Sequence, residues 1–254
     1  MTTNPPPWIE RDVLLCADDF AYNAACSQAI AQLGEAGKIH ATSAMVLSPR
    51  WAQDVALLRP LRGRISVGLH LDWTSEFALA AGHGMALGSA LLRAVLGGFS
   101  IEQARTVIAQ QLDRFEVHWG SAPDHIDGHQ HVQQFAGIRE ALVQELAQRY
   151  PKSAPWLRIS HPVKDDRSLK AVVLRRLGAT QLKALAEQAD LPCRPFLAGL
   201  YDFRGGQAHY RQLLTQWQHA APRGTVIMCH PATQAEAGDS IGAARVWEYT
   251  ALAA

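Results

Sequence analysis

The sequence predicts an α/β fold, a parallel sheet wrapped by helices within a single domain. Three observations carry that prediction. Short apolar runs alternate with stretches of helical spacing, the order that sets parallel strands side by side under an outer layer of helices. The chain has 254 residues, 48% of them apolar, which is enough for one such core. Several apolar runs also end in carboxylates or imidazoles, as in folds whose site lies beyond the carboxyl ends of their strands.

The elements follow in order. Residues 1–11 form a Pro-rich N-terminal extension, and VLLCADDF reads as a buried strand closing on Asp18 and Asp19. NAACSQAIAQLGEAGKI has helical spacing, with Asn23 placed to cap its start and Gly37 to stop it. ATSAMVLSP is a second strand, WAQDVALLRPL a second helix, and RISVGLHLDWT a third strand ending at His70 and Asp72. Residues 76–100, rich in Gly and Ala, read as an excursion over the top of the fold. Ser100 caps a helix whose stripe includes Ile108, Leu112 and Phe115, and HIDGHQHVQQF and a helix near 137–150 follow. WLRIS is a short strand, and residues 163–190 are helical and basic. YDFRGGQAHYRQLLTQWQHA holds another helix, and TVIMCHPA is the last strand.

Composition narrows the function. Lys and Arg number 24 against 23 Asp and Glu, a net charge of +1 that gives no support for a nucleic-acid partner. No apolar run reaches the roughly 18 residues of a membrane span, and the start lacks a secretory pattern. The four cysteines form no CxxC pair or disulfide framework. A soluble, cytoplasmic enzyme is the expectation.

The polar residues point to one site. Neighbours on a strand face opposite ways, so Asp18 and Asp19 converge only across a turn. They read either as a solvated strand end or as a cation ligand beside a base. His70 and His230 are each ambiguous alone. His125, Asp127, His129 and His131 alternate, and on an extended segment all four side chains would share one face. A metal ion relieves the repulsion and desolvation that such crowding brings. Arg158 reads as either a site residue or a salt-bridge partner, and Trp73 as either a sugar-stacking or a core residue.

Taken together, ADDF, GLH, HIDGHQHV and MCHPA resemble, in order, the motifs of the YdjC-like carbohydrate deacetylases, a group that includes chitooligosaccharide and hopanoid-associated deacetylases. The resemblance runs from residue 12 to about 252. It implies a distorted (β/α) barrel related to the polysaccharide deacetylases, with one divalent metal ion, Mg²⁺ or Zn²⁺. It also implies Asp19, His70 and His129 as metal ligands, Asp18 as the base and His230 as the acid. Asp127, His131, Arg158 and Trp73 then fall in the surrounding or substrate-facing shell, with Arg158 or Asp127 orienting His230 or a ligand imidazole.

Two positions depart from the family pattern. Ala21 stands where Gly usually follows DDF, and Gln133 stands where a further His is common. RVWEYTAL is similar to the family's closing Arg–Glu helix. The expected reaction is hydrolysis of an N-acetylated amino sugar to acetate and the free amine, and a homodimer is compatible with the resemblance. The alternatives are a metal-dependent phosphoesterase and a non-catalytic sugar-binding protein on the same scaffold.

Overall fold

The computed structural model describes residues 6–163, 172 and 174–254. Among the described residues eight strands form one sheet: β1 (Val13–Phe20), β2 (Ala41–Ala44), β3 (Ser66–Leu71), β4 (His125–Gly128), β5 (Trp156–Arg158), β6 (Cys193–Arg194), β7 (Phe196–Ala198) and β8 (Thr225–Cys229). Their order is β6-β5-β4-β3-β2-β1-β8-β7, and every pairing is parallel.

The sheet closes into a barrel through a broken strand. β6 pairs with β5, Pro195 interrupts the ladder because it has no N–H, and β7 continues on β8. The extension of β5 then meets β7. Leu197 N donates to His161 O at 2.8 Å, and Val163 N donates to Leu197 O at 3.1 Å. β6 and β7 are too short to show a pattern in sequence, which is why PCRPFLA does not read as a strand there.

Strand alternation sorts the residues into two layers. Leu15, Ala17, Val67, Leu69, Ile126 and Leu157 face outward into the main core, where the surrounding helices cover them. The inward positions fill the lumen. Its lower end is apolar, where Trp8 packs with Leu14, Ala41, Trp156 and Val226. Above that plug the lumen turns polar, with Ser43, Ser66, His70, His125, Asp127 and Arg158 all buried. The lumen is thus apolar at one end and charged at the other.

Most helices form where the sequence places them. Asn23 Oδ1 accepts the Cys26 N–H at 2.8 Å to start helix Ala24–Glu35, and Gly37 leaves that helix with φ 68°. Ser100 caps Ile101–Trp119, and Ile138–Arg149, Gly206–Ala220 and Gly242–Ala253 follow. The second predicted helix is a single turn, Trp51–Asp54, continued as a 3₁₀ segment through Pro60. The excursion at 76–100 contains two helices, Glu76–Ala80 and Leu87–Leu96. Of the helical stretch expected at 163–190, Thr180–Gln188 is a helix, while residues 164–171 and 173 lie outside the described residues. Among the described residues no helix is long and apolar enough to cross a membrane.

Candidate metal centre

β1 solves the problem of its paired carboxylates with a local break. Its register against β2 shifts between Ala17 and Phe20, and Asp19 and Ala21 take φ of 67° and 69°. Asp18 keeps the inward direction of Leu14 and Cys16. Asp19, which regular alternation would send outward, is turned by its left-handed backbone toward the same mouth. Such φ values strain any residue with a Cβ, so the break is a structural expense incurred at the site.

The two carboxylates then take different partners. Asp19 Oδ1 stands 3.5 Å from His70 Nε2 and 3.2 Å from His129 Nδ1, while its Oδ2 accepts from Arg245 Nη2 at 2.8 Å. Asp18 is gripped by Arg158, whose Nη1 and Nη2 reach Oδ1 and Oδ2 at 2.7 and 2.8 Å. Arg158 Nη1 also lies 2.9 Å from Asp127 Oδ2, and Asp127 Oδ1 holds His70 Nδ1 at 2.6 Å. That last bond turns His70 Nε2 toward Asp19.

Charge follows geometry. Burial pushes the Asp19 carboxyl up, but Arg245 and His129 outweigh it and hold it well below the usual carboxylate range. Burial opposes protonation of His70, yet Asp127 and the other carboxylates raise it to about 9. Burial, assisted by Arg158, pushes His131 down to about 3. Burial likewise lowers His230, but Glu248 more than offsets this and leaves it above its ordinary value.

The alternation expected across 125–131 holds only for its first half. His125 and Asp127 share the lumen face of β4, but the strand ends at Gly128. Gln130 and His131 adopt φ of 54° and 63°, so the chain curls and His131 turns to Ser160 Oγ at 2.9 Å. His129 remains at the rim, in reach of Asp19. His125 lies deeper and apart from that cluster.

His131 and His230 line a cavity of about 750 Å³ together with Asp18, Asp19, His70 and His129. Leu87, Leu91, Leu174, Leu177 and Met228 supply an apolar wall. Arg158 orients Asp18 and Asp127, and its hydrogen bonds do not go to His230. Trp73 is 2% exposed, packs edge-on to His83 and Phe99, and lies off the cavity lining, so it is a core residue and not a sugar platform. Gln133 is buried and off the lining too, donating to Arg158 O at 3.1 Å and Ser160 Oγ at 3.0 Å.

The last helix contributes two residues that carried no assigned role in the sequence. Arg245 bridges Asp19 and Asp239, with Nε 2.6 Å from Asp239 Oδ2. Glu248 accepts the backbone N–H of His230 and the Tyr201 hydroxyl, the latter at 2.6 Å, and its Oε1 lies 3.9 Å from His230 Nδ1. The Arg–Glu spacing in RVWEYTAL was the available signal.

The donor set suits a divalent cation. One atom each from Asp19, His70 and His129 lie within 4.8 Å of one another. Two ligands about 2.0–2.1 Å from a tetrahedral zinc stand about 3.3–3.4 Å apart, close to the Asp19–imidazole distances. The Asp127–His70 bond is the outer support such ligands ordinarily have.

Comparison with known proteins places these residues in a family. The profile described as YdjC-like protein matches residues 12–254. A chitooligosaccharide deacetylase from Serratia marcescens is 28% identical over 231 residues, covering 88% of this chain and 83% of that protein. A carbohydrate deacetylase from Mus musculus is 28% identical over 146 residues, 53% of this chain and 46% of that protein. A crystal structure from Enterococcus faecalis V583, of a proposed cellobiose-phosphate cleavage protein, matches with a TM-score of 0.68 at 21% identity. It covers 95% of this chain and 90% of its own, and supports the fold.

Proposed function

The chain belongs to the YdjC-like family, and on that premise we propose that it is a metal-dependent carbohydrate N-deacetylase. The reaction is hydrolysis of the N-acetyl amide of an N-acetylglucosamine-containing saccharide or glycoconjugate, yielding acetate and a free amine. The observation that carries this reading is the convergence of Asp19, His70 and His129 at one rim of the barrel, with Asp18 beside them and His230 on the same cavity. The relatives named as chitooligosaccharide and carbohydrate deacetylases support the substrate class.

A divalent ion held by Asp19, His70 and His129 would polarise the amide carbonyl and lower the pKa of water, making a poor electrophile and a poor nucleophile competent. Two imidazoles and one carboxylate favour zinc over magnesium. The chain's own groups do the rest. Asp18 accepts the proton of the attacking water as its oxygen bonds to the carbonyl carbon. Arg158 fixes the Asp18 carboxylate in place through both oxygens. His230, held by Glu248 and raised toward the protonated form, delivers a proton to the amine nitrogen as the C–N bond breaks. Arg245 occupies the second oxygen of Asp19, leaving Oδ1 to face the imidazoles.

The two-metal phosphoesterase reading is disfavoured by Arg158. That guanidinium already pairs with Asp18 and Asp127, the carboxylates that a second cation would need. The test is acetate release from N-acetylated chitooligosaccharides by protein stripped with chelator and reloaded with zinc or magnesium. Release that depends on the added metal supports the proposal. Hydrolysis of phosphate esters with no acetate release from any acetylated amino sugar would overturn it.

A further inference from the structure

Beneath the rim, the lumen holds a second set of polar side chains for which the reaction has no direct use. Ser43, Ser66 and His125 are each fully buried. The His125 ring lies between a glycine and an indole. It stacks on Trp156 with centroids 4.4 Å apart and planes 17° from parallel. On the other side a Cβ at Gly68 would stand 2.4 Å from ring atoms. Only glycine at that point of β3 leaves room for the imidazole.

The hydrogen bonds of this group have one consistent direction. Asp127 Oδ2, a carboxylate oxygen, accepts from Ser43 Oγ at 2.5 Å, which uses the only proton of that hydroxyl. His125 Nε2, at 3.3 Å from Ser43 Oγ, must then be the donor in that contact. Burial keeps the ring neutral by pushing it down to about 4, so its other nitrogen carries no proton. Nδ1 therefore accepts from the Ser66 hydroxyl at 2.8 Å. Cys16 Sγ, 3.5 Å from Ser43 Oγ and 4.0 Å from His125 Nε2, flanks the chain at longer range.

We propose that Ser66, His125 and Ser43 form a directed hydrogen-bond chain that positions Asp127, and through it His70, for metal binding. In atoms, Ser66 Oγ–H donates to His125 Nδ1, His125 Nε2–H to Ser43 Oγ, and Ser43 Oγ–H to Asp127 Oδ2. Asp127 Oδ1 then receives His70 Nδ1–H, which leaves His70 Nε2 as the ligand atom. Ser43 and His125 are positioning residues: neither reaches the cavity, and both act through the carboxylate. Arg158 satisfies Asp127 by charge, whereas the chain sets the orientation of its plane. The inference rests on the metal-dependent reading of the site.

Zinc binding by the full-length, chelator-stripped protein tests it without any substrate. Ser43→Ala removes the last link, and His125→Phe keeps the ring against Trp156 while removing both nitrogens. Loss of an outer support of a metal ligand weakens affinity about 10–100-fold, and Ser43→Ala is expected near the lower figure. His125→Phe should weaken zinc binding in the same direction. The double variant should bind no more weakly than Ser43→Ala alone, because both substitutions cut one chain. Circular dichroism confirms that each variant is folded.

Wild-type zinc affinity in folded Ser43→Ala would overturn the proposal. So would effects of the two substitutions that simply multiply, or a second zinc per chain lost with His125→Phe, which would make the ring a ligand. A wild-type protein that binds no zinc would overturn both this inference and the metal-dependent function. A wild-type protein that binds zinc tightly, with a Ser43→Ala variant that binds equally well, would remove this inference alone.

Discussion

Arg158 makes the sharpest energetic prediction. Its guanidinium is fully buried and contacts both oxygens of Asp18, at 2.7 and 2.8 Å, and Asp127 Oδ2 at 2.9 Å. Arg158→Met conserves most of the volume but leaves Asp18 without its cation and Asp127 with His70 as its remaining cationic partner. Removing one partner of a buried ion pair costs about 3–5 kcal/mol, and here two carboxylates lose the same partner. At least that loss is expected at pH 7, out of a total stability of about 5–15 kcal/mol typical of folded domains.

The pH dependence follows from the sign of the shift. Burial raises the Asp127 carboxyl, but Arg158 and His70 together hold it below its ordinary value. A depressed carboxyl adds stability above its unfolded pKa of about 3.9, and that stability is lost as pH falls through the native value. The variant forfeits this contribution where it is fully present, at neutral pH. As pH falls toward 4, the Asp127 carboxylate, no longer held down by Arg158, takes up a proton more readily than in the wild type, and the deficit narrows. Urea unfolding of both proteins in chelator, at pH 7 and pH 4.5, measures the two differences. A variant within 1 kcal/mol of wild type at pH 7, or a deficit that grows on acidification, would rule out this role for Arg158.

Three further predictions concern the site. Asp18→Asn should reduce acetate release by about 10²–10⁴-fold while leaving zinc affinity within a few-fold, since Asp18 is assigned as a base and not a ligand; steady-state kinetics beside zinc titration separates the two. Ala21→Gly relieves a left-handed residue at φ 69° and should stabilise the protein by about 1 kcal/mol in thermal or urea unfolding. In the metal-free protein His70 titrates near 9, so the stability from its imidazolium is full below about 6.5 and fades as pH rises through 9. Zinc must displace that proton, so zinc affinity should rise about tenfold between pH 7 and 8, with proton release measurable by calorimetry in buffers of different ionisation enthalpy.

Much of the fold could be read from the order of apolar runs, because β1, β3 and β8 are long enough to show a pattern and lead into conspicuous polar residues. β6 and β7 could not, since a two-residue and a three-residue strand around Pro195 have no periodicity to detect. The site was legible as residue types gathered at strand ends, but its local geometry was not. The convergence of Asp18 and Asp19 depends on a positive φ at Asp19, a conformation that nothing in ADDF specifies. The same kind of break at Gln130 and His131 defeated the simple alternation expected past Gly128. Trp73 shows the limit of reading function from residue type, because its indole goes to Phe99 and His83 in the core. Arg245 and Glu248 sit more than 200 residues from Asp18 and Asp19, and only the closed barrel brings that helix against the rim.

The most direct measurement is an anomalous difference map, collected at the zinc edge from crystals grown with zinc. One peak per chain is expected, about 2.0–2.2 Å from Asp19 Oδ1, His70 Nε2 and His129 Nδ1, with no such peak in crystals of His129→Ala. A peak bound elsewhere in the barrel, or none at saturating zinc, would contradict that ligand set.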